Sequence, residues 1–245
     1  MSLPPPVTPP SEVTGVLRDR GYAVLSRDGL CGLVGVPAAA LDALRPTWND
    51  LPRDAYLRDS GRYRSRRHSC FVVEGPAVIP APHRAHWQPV EYNALHGGLS
   101  RWFEPITREV VEQPVWPRLL SALGASFSAV KGPQPWYVEA HQFRIDTRDG
   151  IGRPTPEGAH RDGVDFVAVL IAQREGIKGG ETRVFEADGP HGIRFTLTEP
   201  WSALLLDDER VIHESTPIQP LSEEGHRDTL VLTFRAKGFQ GPAGA

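Results

Sequence analysis

From Trp136 to Ala236 the chain is a succession of short apolar or alternating segments divided by turn signals. They read YVEAHQFRI (137–145), VDFVAVLIAQ (164–173), ETRVFEA (181–187), IRFTLT (193–198), SALLLD (202–207), RVIHES (210–215) and TLVLTFRA (229–236). Strands this short and this closely spaced leave no room for crossover helices between them. They therefore predict an antiparallel sandwich or barrel rather than a parallel α/β sheet. The 24 glycines and 24 prolines favour the same outcome, many turns and few long helices.

The first half reads differently. Residues 1–10 hold five prolines and are expected to be a disordered or extended tail, leaving 11–245 as a single domain with its β core mainly at 137–236. Helices are expected from Pro10 to Arg20 with Ser11 as cap, from Pro37 to Leu44, and around 101–112 and 117–125. Strands are expected at 21–25 and 70–73. The basic run Arg62–His68 has no clear assignment. The expected fold is mainly β with flanking helices.

Nine histidines and two cysteines, Cys31 and Cys70, limit the chemistry. Two cysteines make neither a disulfide framework nor a thiolate metal cluster and fit a reducing cytoplasm. His83 and His86 have a helical metal spacing, but Pro80 and Pro82 oppose a helix and no third ligand lies nearby in sequence. The segment EGAHRDGVDF (157–166) is more suggestive. In extended chain His160 and Asp162 project to one face. His213, in RVIHES, can join them through long-range antiparallel pairing. Two imidazoles and one carboxylate on one face of an ion are the donor set of non-haem Fe(II) oxygenases. His-x-Asp alone is weak evidence, since it occurs often by chance.

Arg227 opens a strand otherwise built for burial, with Thr229, Val231 and Thr233 on its face and Leu230, Leu232 and Phe234 on the other. An inward arginine needs an anion. That anion is either a protein carboxylate such as Asp207 or Asp208, or a bound carboxylate matched to the guanidinium fork.

These residues resemble the iron(II)/2-oxoglutarate-dependent dioxygenases. The resemblance is nearest to the bacterial L-isoleucine hydroxylase-like group of free amino acid hydroxylases. It rests on HRDGVDF (160–166), KGGET (178–182), Leu206-Asp207-Asp208 through His213, and HRDTLVLTFR (226–235). It covers most of the chain and is strongest over 137–236. It implies a double-stranded β-helix, the jelly roll of cupin-like proteins. His160, Asp162 and His213 would be the catalytic iron ligands, and Arg227, with Thr229, would hold 2-oxoglutarate. The cofactors it implies are Fe(II), 2-oxoglutarate and O2. The reaction would couple decarboxylation to succinate and CO2 with oxidation of an unactivated C–H bond. Asp162 argues against halogenation, because related halogenases have Ala or Gly there.

For other ligand contacts the residues leave choices open. Gln142 and Arg144 share a strand face that meets the cosubstrate or a substrate carboxylate if it points inward, and is solvated otherwise. Arg64 and Arg66 share one side of an extended run that is either a solvated face or a carboxylate site. Asp165 either pairs with a substrate ammonium or caps a turn. Trp136, Phe143, Phe185 and Trp201 line a pocket or fill the core.

A net charge of −3 gives no reason to expect nucleic acid or an anionic membrane. The N-terminus has no secretory pattern. The expected partner is a small amino-acid-like molecule, with a homodimer left open. Desaturation or ring closure uses the same cofactors as hydroxylation. A non-catalytic metal-binding jelly roll and a hydroxylase of peptide loops are the competing functions.

Overall fold

The computed structural model describes residues 3–57, 62–93, 95 and 97–242. The alternating segments become strands. In chain order these are β1 (Tyr22–Leu25), β2 (Arg64–Glu74), β3 (Ala77–Pro80), β4 (Trp136–Asp146), β5 (Phe166–Glu175) and β6 (Ile177–Gly179). They continue as β7 (Thr182–Glu186), β8 (Gly192–Phe195), β9 (Ala203–Asp207), β10 (Val211–Ser215), β11 (Ile218–Pro220) and β12 (His226–Arg235). One large antiparallel sheet runs β1-β9-β5-β12-β4-β2-β3, and two small ones are β10-β7-β8 and β11-β6. The chain between β4 and β5 joins the small sheets through bridges from Gly152 to Ile218 and from His160 to His213. This is the expected jelly roll with helices on one side.

The helices are α1 (Val13–Arg20), α2 (Arg27–Val34), α3 (Ala38–Asp42), α4 (Arg108–Val111) and α5 (Val115–Lys131). In α5 the apolar residues Trp116, Leu119, Leu120, Leu123 and Phe127 recur at helical spacing and are buried against the large sheet. Burying each contributes about 2 kcal/mol. Phe127 stacks on Phe166 at 4.4 Å and meets Phe234 edge-on at 4.8 Å, which locks α5 to β5 and β12.

Several expectations shift. The helix expected from Pro10 opens as a 3-10 turn over Pro10–Glu12, without a side-chain cap from Ser11. The Pro-rich segment is extended: the Thr8 amide donates to Val24 O at 2.7 Å, and Leu3 O accepts from Thr196 at 3.1 Å. The unexpected helix is α2, capped by Ser26 Oγ on the Gly29 amide at 3.1 Å. The basic run becomes the start of β2.

The large sheet has two unlike faces. Toward the helices β12 presents Leu230, Leu232 and Phe234, and β4 presents Trp136, Val138 and Ala140. Toward the small sheets the strands form rungs, because opposed residues share a face. Register places Arg64, Ile145 and Arg227 on one rung, Arg66, Phe143 and Thr229 on the next, then His68, His141 and Val231. Between the sheets Val167, Ile171, Leu204 and Leu206 pack against Val184, Phe195 and Val211. Where those apolar residues stop, the polar rungs line a cavity.

Candidate metal and ligand site

Backbone pairing builds the site's first two members. The His160 amide donates to His213 O at 3.1 Å and the His213 amide to His160 O at 3.0 Å, so the two imidazoles lie side by side with ring centroids 4.7 Å apart. Asp162 completes a group of three, with Oδ1 3.9 Å from His160 Nε2 and Oδ2 3.8 Å from His213 Nε2. These spacings are too long for hydrogen bonds and suit three donors around one ion. His160 Nδ1–H donates to Gly158 O at 3.0 Å, which leaves the lone pair on Nε2, facing Asp162. Among the described residues His213 Nδ1 is buried without a partner. The donor set and its tautomer therefore fit a non-haem Fe(II) centre. Burial disfavours charge on His160, but Asp162 and Glu157 outweigh it and raise its pKa. Burial and the neighbouring His160 hold His213 well below the ordinary range.

A second layer fixes the loop. Fully buried Asp208 accepts backbone N–H bonds from Asp162 at 3.0 Å, Gly163 at 2.8 Å and Val164 at 3.1 Å. Burial and the Asp162 charge push its pKa up to about 7. Gly163 has φ 74°, and a Cβ there would fall 2.4 Å from the Tyr92 ring, so glycine is required. Gln240 Nε2 donates to Asp162 O at 3.1 Å and Gly163 O at 2.7 Å. Gln88 Nε2 donates to Asp162 Oδ1 at 3.1 Å, and its Oε1 accepts from Arg101 at 3.0 Å.

Arg227 lines the same cavity as the three residues, as does Thr229. Its protein pairing with Asp207 or Asp208 does not form. Among the described residues its guanidinium has only a long contact to Ser215 Oγ, 3.5 Å, and no carboxylate. Burial, then the nearby Arg174, pushes its pKa down to about 10. A buried cation facing a cavity without a protein counterion suits a bound anion.

Arg64 and Arg66 also line the cavity, together with Arg101. Arg64 Nε donates to Asp54 Oδ2 at 2.7 Å, and Arg66 lies 3.9 Å from that oxygen. Arg66 packs over Phe103 at 3.8 Å and Phe143 at 4.4 Å. Burial works against the Asp54 charge, but Arg64 and Arg66 hold its carboxyl below the usual range.

Three expected ligand contacts are elsewhere. On β4 the inward face carries His141, Phe143 and Ile145, so Gln142 and Arg144 point to the helix side. Gln142 donates to Thr47 Oγ1 at 3.0 Å, and Arg144 forms a two-point pair with Asp228 at 2.8 and 2.7 Å. Asp165 accepts from Lys131 Nζ and from the Ala236 amide, both at 2.9 Å, and anchors α5. Of the four aromatics only Phe143 lines the cavity; Trp136 and Trp201 are core, and Phe185 is exposed. Gln88 and Arg101 carry no periodicity or motif that marks them as site residues; His86 is marked only by its spacing from His83, and Asp208 only as a possible partner of Arg227 within the segment leading to His213. His86 does gain partners, contrary to the expectation from sequence distance: Glu139 lies 2.7 Å away and His141 packs against its ring.

Residues 45–233 match the family model described as 2OG-Fe dioxygenase. A comparison with curated proteins returned no match. A bsmA homolog from Methylobium petroleophilum PM1 is 54% identical over 97% of both chains, with a TM-score of 0.92. IDO from Bacillus thuringiensis is 18% identical over 94% of this chain and 96% of that one, with a TM-score of 0.76. The Fe(II)/(alpha)ketoglutarate-dependent dioxygenase TqaL is 20% identical over 95% and 88%, with a TM-score of 0.70. These last two likenesses bear on the fold alone. Among the described residues no helix is long and apolar enough to cross a membrane.

Proposed function

Because this chain belongs to the family of 2OG-Fe dioxygenases, iron- and 2-oxoglutarate-dependent enzymes, we propose that it hydroxylates an unactivated C–H bond of a free L-amino acid or close derivative, as in the isoleucine hydroxylase-like branch. The observation that carries this reading is a second cationic group in the cavity. Arg227 supplies one carboxylate receptor on β12. Two strands away, about 10 Å across the sheet, Arg64 and Arg66 have Asp54 as their one carboxylate partner among the described residues, and Arg101 donates to Gln88. The cosubstrate needs one such receptor, so the other suits a substrate carboxylate.

His160, Asp162 and His213 would hold iron(II), and Arg227, with Thr229, the distal carboxylate of 2-oxoglutarate. When bound, iron(II) with 2-oxoglutarate and O2 supplies the oxidising chemistry, and 2-oxoglutarate leaves as succinate and CO2. The chain's own part is placement. Gly158 keeps the His160 lone pair on Nε2, Asp208 keeps Asp162 in position, and Phe143 and Ile145 separate the two cationic groups with apolar surface.

The test is succinate formation by anaerobically purified protein given Fe(II), 2-oxoglutarate and pooled L-amino acids, with air then admitted. Succinate with a mass gain of about 16 Da in one amino acid is expected. A loss of about 2 Da would identify desaturation or ring closure at the same site. Bound iron without any succinate would favour a non-catalytic binding protein and overturn the proposal.

A further inference from the structure

A second cluster of titratable groups borders the cavity on β2, β4 and the segment before Arg101. His68, His86, Glu139 and His141 are all buried, and their ligand atoms lie within 4.8 Å of one another. Their hydrogen bonds leave little freedom. Arg66 can only donate, and its NH2 lies 2.6 Å from His141 Nδ1, so His141 carries its proton on Nε2. Ionised Glu139 can only accept. Its Oε2 is 2.7 Å from His86 Nδ1 and 3.0 Å from His68 Nε2, so those nitrogens are the protonated ones. His68 stacks on His141 at 4.7 Å and fixes the plane of its ring. Burial keeps all three imidazoles neutral, with the His86 pKa pushed down to about 3 despite Glu139.

The cluster is not built for a metal. The His141 Nδ1 lone pair is already engaged by Arg66, and Glu139 Oε2 by His86 and His68. What the cluster offers is directional hydrogen bonding. His86 and His141 both line the cavity, and among the described residues the hydrogen bonds of both rings run through Nδ1, to Glu139 and Arg66. At Nε2 one ring is a fixed acceptor and the other a fixed donor.

We infer that His86 and His141 are specificity-determining residues for the substrate's head group. His86 Nε2 accepts from the α-ammonium, and His141 Nε2–H donates to the carboxylate beside Arg66. The inference rests on the amino-acid reading above and predicts that a carboxylic acid lacking the amine is a poor substrate. Glu139 and Arg66 act through the histidines as positioning residues, each forcing one tautomer.

The experiment measures binding to the anaerobic holoenzyme, with Fe(II) and 2-oxoglutarate present, for the L-amino acids and for their des-amino carboxylic acids. Wild type should prefer an amino acid by about ten- to hundredfold, the scale of one charge-assisted hydrogen bond. Asparagine places its amide where His86 Nδ1 lies, and glutamine where Nε2 lies. His86→Asn should therefore keep Glu139 satisfied but lose the preference, and His86→Gln should retain most of it. His141→Asn should weaken amino acid and des-amino acid alike. Imidazole 15N spectra should show His86 protonated on Nδ1 and His141 on Nε2.

Retained preference in His86→Asn overturns the inference and leaves the amino-acid reading intact. So does the opposite tautomer, or a second metal equivalent lost on His68 substitution. If wild type binds no L-amino acid, the amino-acid reading falls and the inference falls with it.

Discussion

Asp208 offers the sharpest test of how the loop around Asp162 is held. In Asp208→Ala three buried N–H groups lose their acceptor. Hydrogen bonds to a charged group contribute about 1.5–3 kcal/mol each, so three sharing two oxygens amount to roughly 5 kcal/mol. Against this stands the cost of a buried carboxylate beside Asp162: burial and the Asp162 charge push the Asp208 pKa up to about 7 even though the three hydrogen bonds pull it down. In the metal-free protein desolvation and repulsion therefore outweigh the bonds, and the variant should lose less than about 2 kcal/mol of folding stability. A divalent ion neutralises Asp162 and removes the repulsion, so the lost hydrogen bonds then appear almost undiminished in metal affinity. We expect Co(II) or Fe(II) to bind about a hundred- to a thousandfold more weakly, from about 3–4 kcal/mol. Urea unfolding of the metal-free protein and anaerobic Co(II) absorption titration read the two quantities separately. A folded variant that binds Co(II) within about threefold of wild type would refute the reasoning.

Three further outcomes follow from the geometry. Arg227→Ala should raise the 2-oxoglutarate requirement by at least about thirtyfold, the lower end for losing a buried charge pair, and yet melt no lower than wild type, because it removes an uncompensated buried cation; an unchanged requirement in steady-state kinetics would remove Arg227 from the cosubstrate site. Gly163→Ala should weaken metal binding at unchanged fold, since a side chain at φ 74° meets Tyr92, and the same Co(II) titration checks it. Stability should fall in acid: His86 is held to about 3, below its ordinary 6.5, so the unfolded chain takes up the proton first and stability is lost as pH drops below 6.5. By pH 5 that is roughly 2 kcal/mol. Glu139, whose pKa is lowered, adds a loss of the same sign below its ordinary 4.5. Urea midpoints at pH 7.5 and 5 should diverge in wild type and diverge less in His86→Asn, where buried His68, His141 and His213 still take up protons only on unfolding.

How much of this was legible beforehand depended on whether a residue's partners lie in its own segment. The strands of the second half announce themselves because burial on one face imposes a period of two. The faces of β12, with Arg227, Thr229, Val231 and Thr233 inward, follow from that period alone. The same period failed on β4, where both faces carry polar groups. His141 and Phe143 face the cavity, while Gln142 and Arg144 pair with Thr47 and Asp228 from distant segments. For Arg64 and Arg66 in β2 the sequence leaves a solvated face and a carboxylate site both open, because what buries them, Asp54, Phe103 and Phe143, is not adjacent in sequence. The helix α2 was masked by its two glycines, and only its Ser26 cap hints at it. Asp208 is suggested by sequence only as a partner for Arg227; its actual role, holding the backbone of residues 162–164, is defined by a loop folded over from elsewhere.

The rung order of the large sheet divides labour along the chain. Groups proposed for the metal and cosubstrate come from residues 158–229, on the loop before β5, on β10 and on β12. Groups proposed for the substrate come mainly from residues 64–101, with β4 as a shared partition. Two strand widths separate Arg64 from Arg227, so drift in the earlier segment can retune which molecule is admitted while the oxidising centre stays as it is. A scaffold arranged this way can diversify in substrate without renewing its chemistry, and grafting the earlier segment between relatives is the natural unit of redesign.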